Sequence, residues 1–231
     1  METAHLLLLS SFSIALIHTL AGPDHYLPFV VLSRERRWTL KATLTLTVIC
    51  GLGHIVSSIA LASIGLALGW TLESLQVIDQ YRGSFVAWGL ILFGLILLIS
   101  NLRILYRHEH EHQHFDGTNH SHSHNHGGNH VHVHPSDKTI TPWILFTLFF
   151  FGPCEPLVIL FMLPAIQGEL GVLLSMLSLF TITTLASMVI MVTLLYKGTQ
   201  LFTFSYFNRY STGLAGIVLL ACGVSIEFLG L

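Results

Sequence analysis

Six stretches of the sequence stay apolar over about 18 residues or more, the length a helix needs to cross the hydrocarbon core of a bilayer. They run roughly from Ala4 to Leu32, Ala42 to Leu68, Ser84 to Leu105, Pro142 to Ile166, Gly171 to Leu195 and Thr212 to Leu229. Only helices and closed barrels satisfy every backbone group in lipid, and runs of this length select helices. The expected fold is therefore all-α, a polytopic membrane protein of about six transmembrane helices. Composition agrees: of 231 residues, 52% are hydrophobic and 10% charged, with a mean hydropathy of +0.70. The first run has no basic leader and carries His18, Asp24 and His25, so it reads as a retained span rather than a cleaved signal.

Lys and Arg near the ends of spans are held on the cytoplasmic side. Alternate loops divide them unevenly. Arg34, Arg36, Arg37, Lys41, Arg103, Arg107, Lys138, Lys197 and Arg209 fall on one side, and Arg82 alone on the other. This division predicts both termini outside and the central loop in the cytoplasm. The net charge of -2 carries no nucleic-acid signal, since the basic residues form no separate face.

The chain divides into a first three-helix repeat (1–106), a His-rich flexible loop (107–138) and a second three-helix repeat (139–231). Three spans before the loop and three after it make the halves enter the membrane from opposite faces, the arithmetic of an inverted repeat. A short echo at an offset of 130 residues supports this. Gly22-Pro23-Asp24-His25 corresponds to Gly152-Pro153-Cys154-Glu155, and His54 to Thr184. Gly-Pro with a further Pro nearby removes backbone donors, so the first and fourth helices are expected to be broken there. Paired broken helices commonly mark a transporter's substrate site; kinks made only for packing are the plainer alternative.

An ionisable group inside a bilayer costs several kcal/mol unless it is paired, protonated or bound to a cation. The candidates are His18, Asp24, His25, His54 and Glu155. A carboxylate with two or three imidazoles suits nickel, cobalt or zinc, whereas magnesium and calcium favour oxygen ligands. Each His read alone is equally a buried imidazole bonded to a hydroxyl or carbonyl, and Glu155 is equally a proton carrier. Cys154, between Pro153 and Glu155, is a soft-ligand or redox candidate, against the plainer reading of a small buried hydrophobe. Cys50 and Cys222 take that plainer reading.

The loop holds eleven of the fifteen histidines: His108, His110, His112, His114, His120, His122, His124, His126, His130, His132 and His134. Imidazoles at alternate positions of a flexible chain can chelate one ion, with Glu109, Glu111 and Asp116 adding charge. Metal capture is the reading, against a solvated linker with incidental affinity. No nucleotide loop, Ser-His-Asp pattern or large extramembrane domain points to an enzyme.

At His18-Thr19-Leu20-Ala21-Gly22-Pro23-Asp24-His25 and Gly51-Leu52-Gly53-His54, the chain resembles the nickel/cobalt transporter superfamily. The likeness is to its urease-accessory-type membrane proteins and nickel/cobalt efflux proteins. Phe151-Gly152-Pro153-Cys154-Glu155-Pro156 is similar to a Gly-Pro-Cys element of the same relatives. The resemblance implies a transporter of nickel or cobalt, with zinc as a third candidate, and no tightly bound cofactor. By resemblance His18, Asp24, His25 and His54 are metal-pathway residues, the loop faces the cytoplasm of a bacterial inner membrane, and a cytoplasmic metallochaperone is a candidate partner. Here five residues separate His18 from Asp24, one more than the family pattern. Export is favoured slightly over import by a collecting tract on the cytoplasmic side. Two rivals stand beside this: a thiol-disulfide electron carrier using Cys154, and a membrane-anchored metal buffer or sensor without transport.

Overall fold

The computed structural model describes residues 2–105, 111–113, 119–121, 140–201 and 205–229. It is built of helices: α1 (Glu2–Ala21), α2 (Leu27–Glu35), α3 (Leu40–Ala67), α4 (Leu72–Leu105), α5 (Ile140–Phe151), α6 (Glu155–Ile166), α7 (Leu170–Leu201) and α8 (Ser205–Val224). A 3-10 turn, Pro23–His25, separates α1 from α2, and a π-helical turn, Ser225–Leu229, continues α8. Within the His-rich segment Glu111–Gln113 pairs antiparallel with Asn119–Ser121, His112 opposite His120. The other nine loop histidines lie outside the described residues.

Among the described residues, four helices are long and apolar enough to cross a bilayer: Leu40–Ala67, Leu72–Arg103, Leu170–Gln200 and Tyr210–Leu229. The chain is accordingly a helical membrane protein. The pair α5 and α6 passes the same test only jointly, bent by 40° at its break. The expected first span is likewise two helices, and the apolar part of α1, His5–Ala21, is shorter than a full crossing. A larger correction concerns the third span, which begins at Leu72 rather than Ser84. Asp79 and Arg82 therefore sit inside a helix, and Arg82 is no loop charge.

Both breaks follow from the same dipeptide. A residue before proline is pushed out of the α region, and Gly22 is extended, at φ -88 and ψ 93. Proline also lacks the N–H that would continue the ladder. After each break a proline near the new helix start, Pro28 in α2 and Pro156 in α6, occupies a position where the missing donor costs nothing.

Three helices end alike. Arg37, Gly69 and Gly168 take positive φ of 55, 69 and 71, and the following amides of Trp38, Trp70 and Glu169 donate to the carbonyls of Ser33, Gly65 and Pro164. This double cap reverses the chain within a few residues and satisfies carbonyls that would otherwise be orphaned. It joins α2 to α3, α3 to α4, and α6 to α7 by tight returns.

Helices from before and after the His-rich segment interleave. α4 packs along α8, α1 on α7, α5 on α3, and α3 across α7, while α2 lies against α8 and α6 against α4. In lipid, helix association relies on close packing rather than hydrophobic expulsion. At the α4–α8 crossing a Cβ on Gly94 would lie 2.6 Å from the Gly216 carbonyl oxygen, and one on Gly216 would lie 2.7 Å from that of Gly94. Backbone therefore touches backbone. The largest buried cluster, which includes Phe29, Leu32, Leu145, Val192 and Leu219, fills the space beside this crossing. It fixes α2 and α5 so that both breaks open onto one cavity.

Candidate functional site

That cavity has a volume of about 810 Å³ and is lined by residues of both breaks, of α3 and α4, and of the π-helical turn. His18, Asp24, His25, His54 and Glu155, five of the six intramembrane candidates, line it. Cys154 does not. Its side chain is buried with Ala15, Ile55, Leu157 and Phe180, although its neighbours Pro153 and Glu155 line the cavity. Cys50 and Cys222 lie in the other, larger cluster, and all three cysteines are free.

The three imidazoles are neighbours. The rings of His18 and His25 have centroids 4.9 Å apart, and those of His25 and His54 are 5.7 Å apart, each pair edge to face. His25 Nδ1 lies 3.2 Å from both the Gly22 carbonyl and Asp24 Oδ1. Both partners are acceptors, so Nδ1 carries a proton, and in the neutral ring Nε2 keeps the lone pair. His54 repeats the arrangement: Nδ1 donates to the Phe149 carbonyl at 3.2 Å, and its buried Nε2 has no hydrogen-bond partner. His18 Nε2 is also buried without a partner. An imidazole that gives one N–H to a carbonyl or carboxylate and turns the other nitrogen outward has the outer-sphere support found around metal-binding histidines.

A side chain in place of either glycine would crowd these contacts. A Cβ on Gly22 would meet His25 Nδ1 at 2.7 Å and Asp24 Oδ1 at 2.8 Å; one on Gly152 would meet His54 Nδ1 at 3.0 Å. Among the described residues, no three His, Cys, Asp or Glu side chains converge closely enough to hold a metal ion as they stand.

The second break exposes the carbonyls at the end of α5, and two side chains from elsewhere meet them. His54 takes Phe149. Arg82 on α4 donates to the Gly152 carbonyl at 2.9 Å and the Phe150 carbonyl at 3.4 Å. The same guanidinium reaches Ser57 Oγ on α3 at 2.9 Å and Asp79 Oδ1 at 2.7 Å. Sequence reasoning missed this pair, although Asp79 and Arg82 stand three apart, the spacing at which charges face one another on a helix.

No protein-family model matches the chain, and neither a curated protein nor a solved structure matches it. The arrangement of the residues themselves is what bears on function. Chemically, the cavity offers borderline nitrogen donors beside a carboxylate, and the irregular backbone at Gly22 and Gly152 is buried in protein, the condition under which lipid tolerates it.

Proposed function

We propose that this chain is a membrane transporter of a divalent transition-metal cation, nickel or cobalt foremost and zinc next, and that the ion passes through the cavity where the two breaks meet. The observation that carries the reading is the meeting of three imidazoles at one cavity: His25 and His54 both direct Nδ1 at carbonyl or carboxylate partners, and Nε2 of His54 and of His18 has no hydrogen-bond partner. Asp24 supplies negative charge at the same place. His18, His25 and His54 serve as successive nitrogen donors. A tight four-ligand cage is not needed for this task, because conduction requires binding weak enough, or divided among enough sites, for the ion to leave.

The architecture that suits this function is six membrane crossings in two inverted sets, with α1–α2 and α5–α6 as broken spans. Several features support it. α1 and α5 end at Ala21 and Phe151, and α3 and α7 begin at Leu40 and Leu170, each at the sequence offset of 130. The packing of α1 on α7 is mirrored by α5 on α3, and that of α2 on α8 by α6 on α4. With Arg82 buried in a helix, all the remaining Lys and Arg fall on one side of this topology, which favours a cytoplasmic place for the His-rich segment. There it would gather ions, with export favoured slightly over import.

The test is uptake of nickel, cobalt and zinc into proteoliposomes. Asp24→Asn and His54→Ala are expected to reduce flux by about 100-fold, roughly the effect of losing metal-site support. Deletion of 107–138 is expected to reduce flux only several-fold. Absence of flux for all three metals in the intact protein sinks the proposal, and loss of all function with the loop alone points to the buffer reading.

A further inference from the structure

Threonine hydroxyls inside these helices follow one habit. Thr19, Thr43 and Thr47 each donate to the carbonyl four residues back, and on α7 so do Thr181 and Thr193. A helix offers its own threonines this partner without help from elsewhere. Thr184, also on α7, departs from the habit: it is 1% exposed, and its Oγ1 makes no hydrogen bond. A buried hydroxyl left unpaired costs on the order of 1–3 kcal/mol.

The neighbours of Thr184 fix its place. Phe180, one turn before it, packs in one cluster with Ala15 of α1 and Ile55 of α3. Met188, one turn after it, lies against α3, where a Cβ on Gly51 would meet its sulfur at 3.1 Å. Residues four apart share a helix face, so Thr184 is on the face of α7 turned to α1 and α3. Those first two helices keep register: Ser11 donates to the Met176 carbonyl at a sequence separation of 165, and Ala15 meets Phe180 at the same separation. The next turn pairs Thr19 with Thr184. His18 stands beside Thr19, and His54 beside Ile55. Nε2 of each is buried and has no partner. Three helices thus bring three unpaired polar atoms to one junction, all of them closed to solvent. A metal ion stands about 2.1 Å from a nitrogen ligand, and a hydrogen-bonded water about 2.9 Å. A junction closed to water can therefore still admit a bare ion.

We propose that Thr184 is an ion-binding residue, whose hydroxyl oxygen is the donor that the second half of the chain gives to a divalent transition-metal cation held by Nε2 of His18 and His54. This role rests on the reading of the histidines as a metal site and adds to them a ligand from α7. The described His, Cys, Asp and Glu side chains do not bring three donors to one point by themselves, and a hydroxyl raises the donor number without adding charge. A neutral oxygen suits such ions less well than imidazole does, which favours release from a conducting site. His54 and Thr184 are also 130 residues apart, the offset between the starts of α3 and α7, so the two donors occupy matching places in the two helices.

The test separates metal binding from folding. Full-length protein in lipid nanodiscs is heated in EDTA and across a nickel titration, alongside Thr184→Val, Thr184→Ser, Thr181→Val and His54→Ala. The His-rich loop is common to all five. Valine copies the shape of threonine and deletes only the hydroxyl, so in EDTA Thr184→Val is expected to unfold at the temperature of the intact protein or above it. The nickel concentration giving half of the stabilisation is expected to rise about tenfold or more in Thr184→Val and His54→Ala, and to stay within about twofold in Thr184→Ser and Thr181→Val. Earlier unfolding of Thr184→Val in EDTA overturns the proposal, because the hydroxyl would then have a partner without metal. An unchanged nickel half-point in that variant also overturns it, as does a lack of nickel stabilisation in the intact protein. Nickel stabilisation that depends on Thr184, without nickel flux in proteoliposomes, refutes the transporter reading and leaves the ligand standing. Nickel flux lost in His54→Ala but unchanged in Thr184→Val does the reverse.

Discussion

The two breaks share a Gly-Pro dipeptide and open onto one cavity, yet they are held by different means. The first is closed from within its own segment: His25 Nδ1 meets the Gly22 carbonyl, and the Tyr26 hydroxyl donates to the Leu20 carbonyl at 3.2 Å. The second borrows its partners from a distance, His54 of α3 and Arg82 of α4. The residues just after each Gly-Pro account for the difference. In Asp24-His25-Tyr26 the last two side chains fold back onto local carbonyls and Asp24 braces His25, whereas Cys154 turns into apolar packing and offers the carbonyls nothing. One break therefore presents ligands. The other presents bare backbone acceptors and depends on tertiary structure to cover them.

The comparison is broken most directly by Arg82→Ala, which removes the tether of the second break and strands Asp79. Losing one partner of a buried pair costs about 3–5 kcal/mol, so thermal unfolding in detergent should drop well below that of the intact protein. If Arg82→Ala unfolds no earlier, the tether is ornamental and the two breaks are equivalent. Gly152→Ala comes next. A methyl 3.0 Å from His54 Nδ1 must shift the ring against the Phe149 carbonyl, at a cost of about 1–3 kcal/mol, read from the same unfolding curve. Tyr26→Phe, which deletes one local hydrogen bond, is the smallest. About 1 kcal/mol is expected, and a loss as large as that of Arg82→Ala would show that the first break also relies on long-range support.

The breaks were legible because proline acts locally: its missing N–H and its restriction on the preceding residue operate whatever surrounds them. The cavity-lining positions of His18, Asp24, His25, His54 and Glu155 were legible for a related reason, since an ionisable group in an apolar run must find a polar surrounding. Cys154 was misread. It stands next to Glu155 in sequence, but its side-chain direction depends on how the chain turns between α5 and α6, which no residue count reveals. The start of α4 was hidden by Glu73, Asp79 and Arg82, whose charges made the stretch from Leu72 read as a loop. A pair three residues apart neutralises itself once the helix forms, and hydropathy counted residue by residue takes no account of that. Nor does the sequence announce that Arg82 finishes its hydrogen bonds on Gly152, which requires the meeting of α4 with α5.

That reach from Arg82 to Gly152 has a consequence for how the protein is made. At the usual pace of synthesis, residues 150–152 emerge on the order of ten seconds or less after Arg82. During that interval α4 is inserting with a guanidinium and a carboxylate that have only each other and Ser57. The nascent first half must therefore wait, either in the insertion machinery or in wet surroundings, until the carbonyls it is built to receive have been translated.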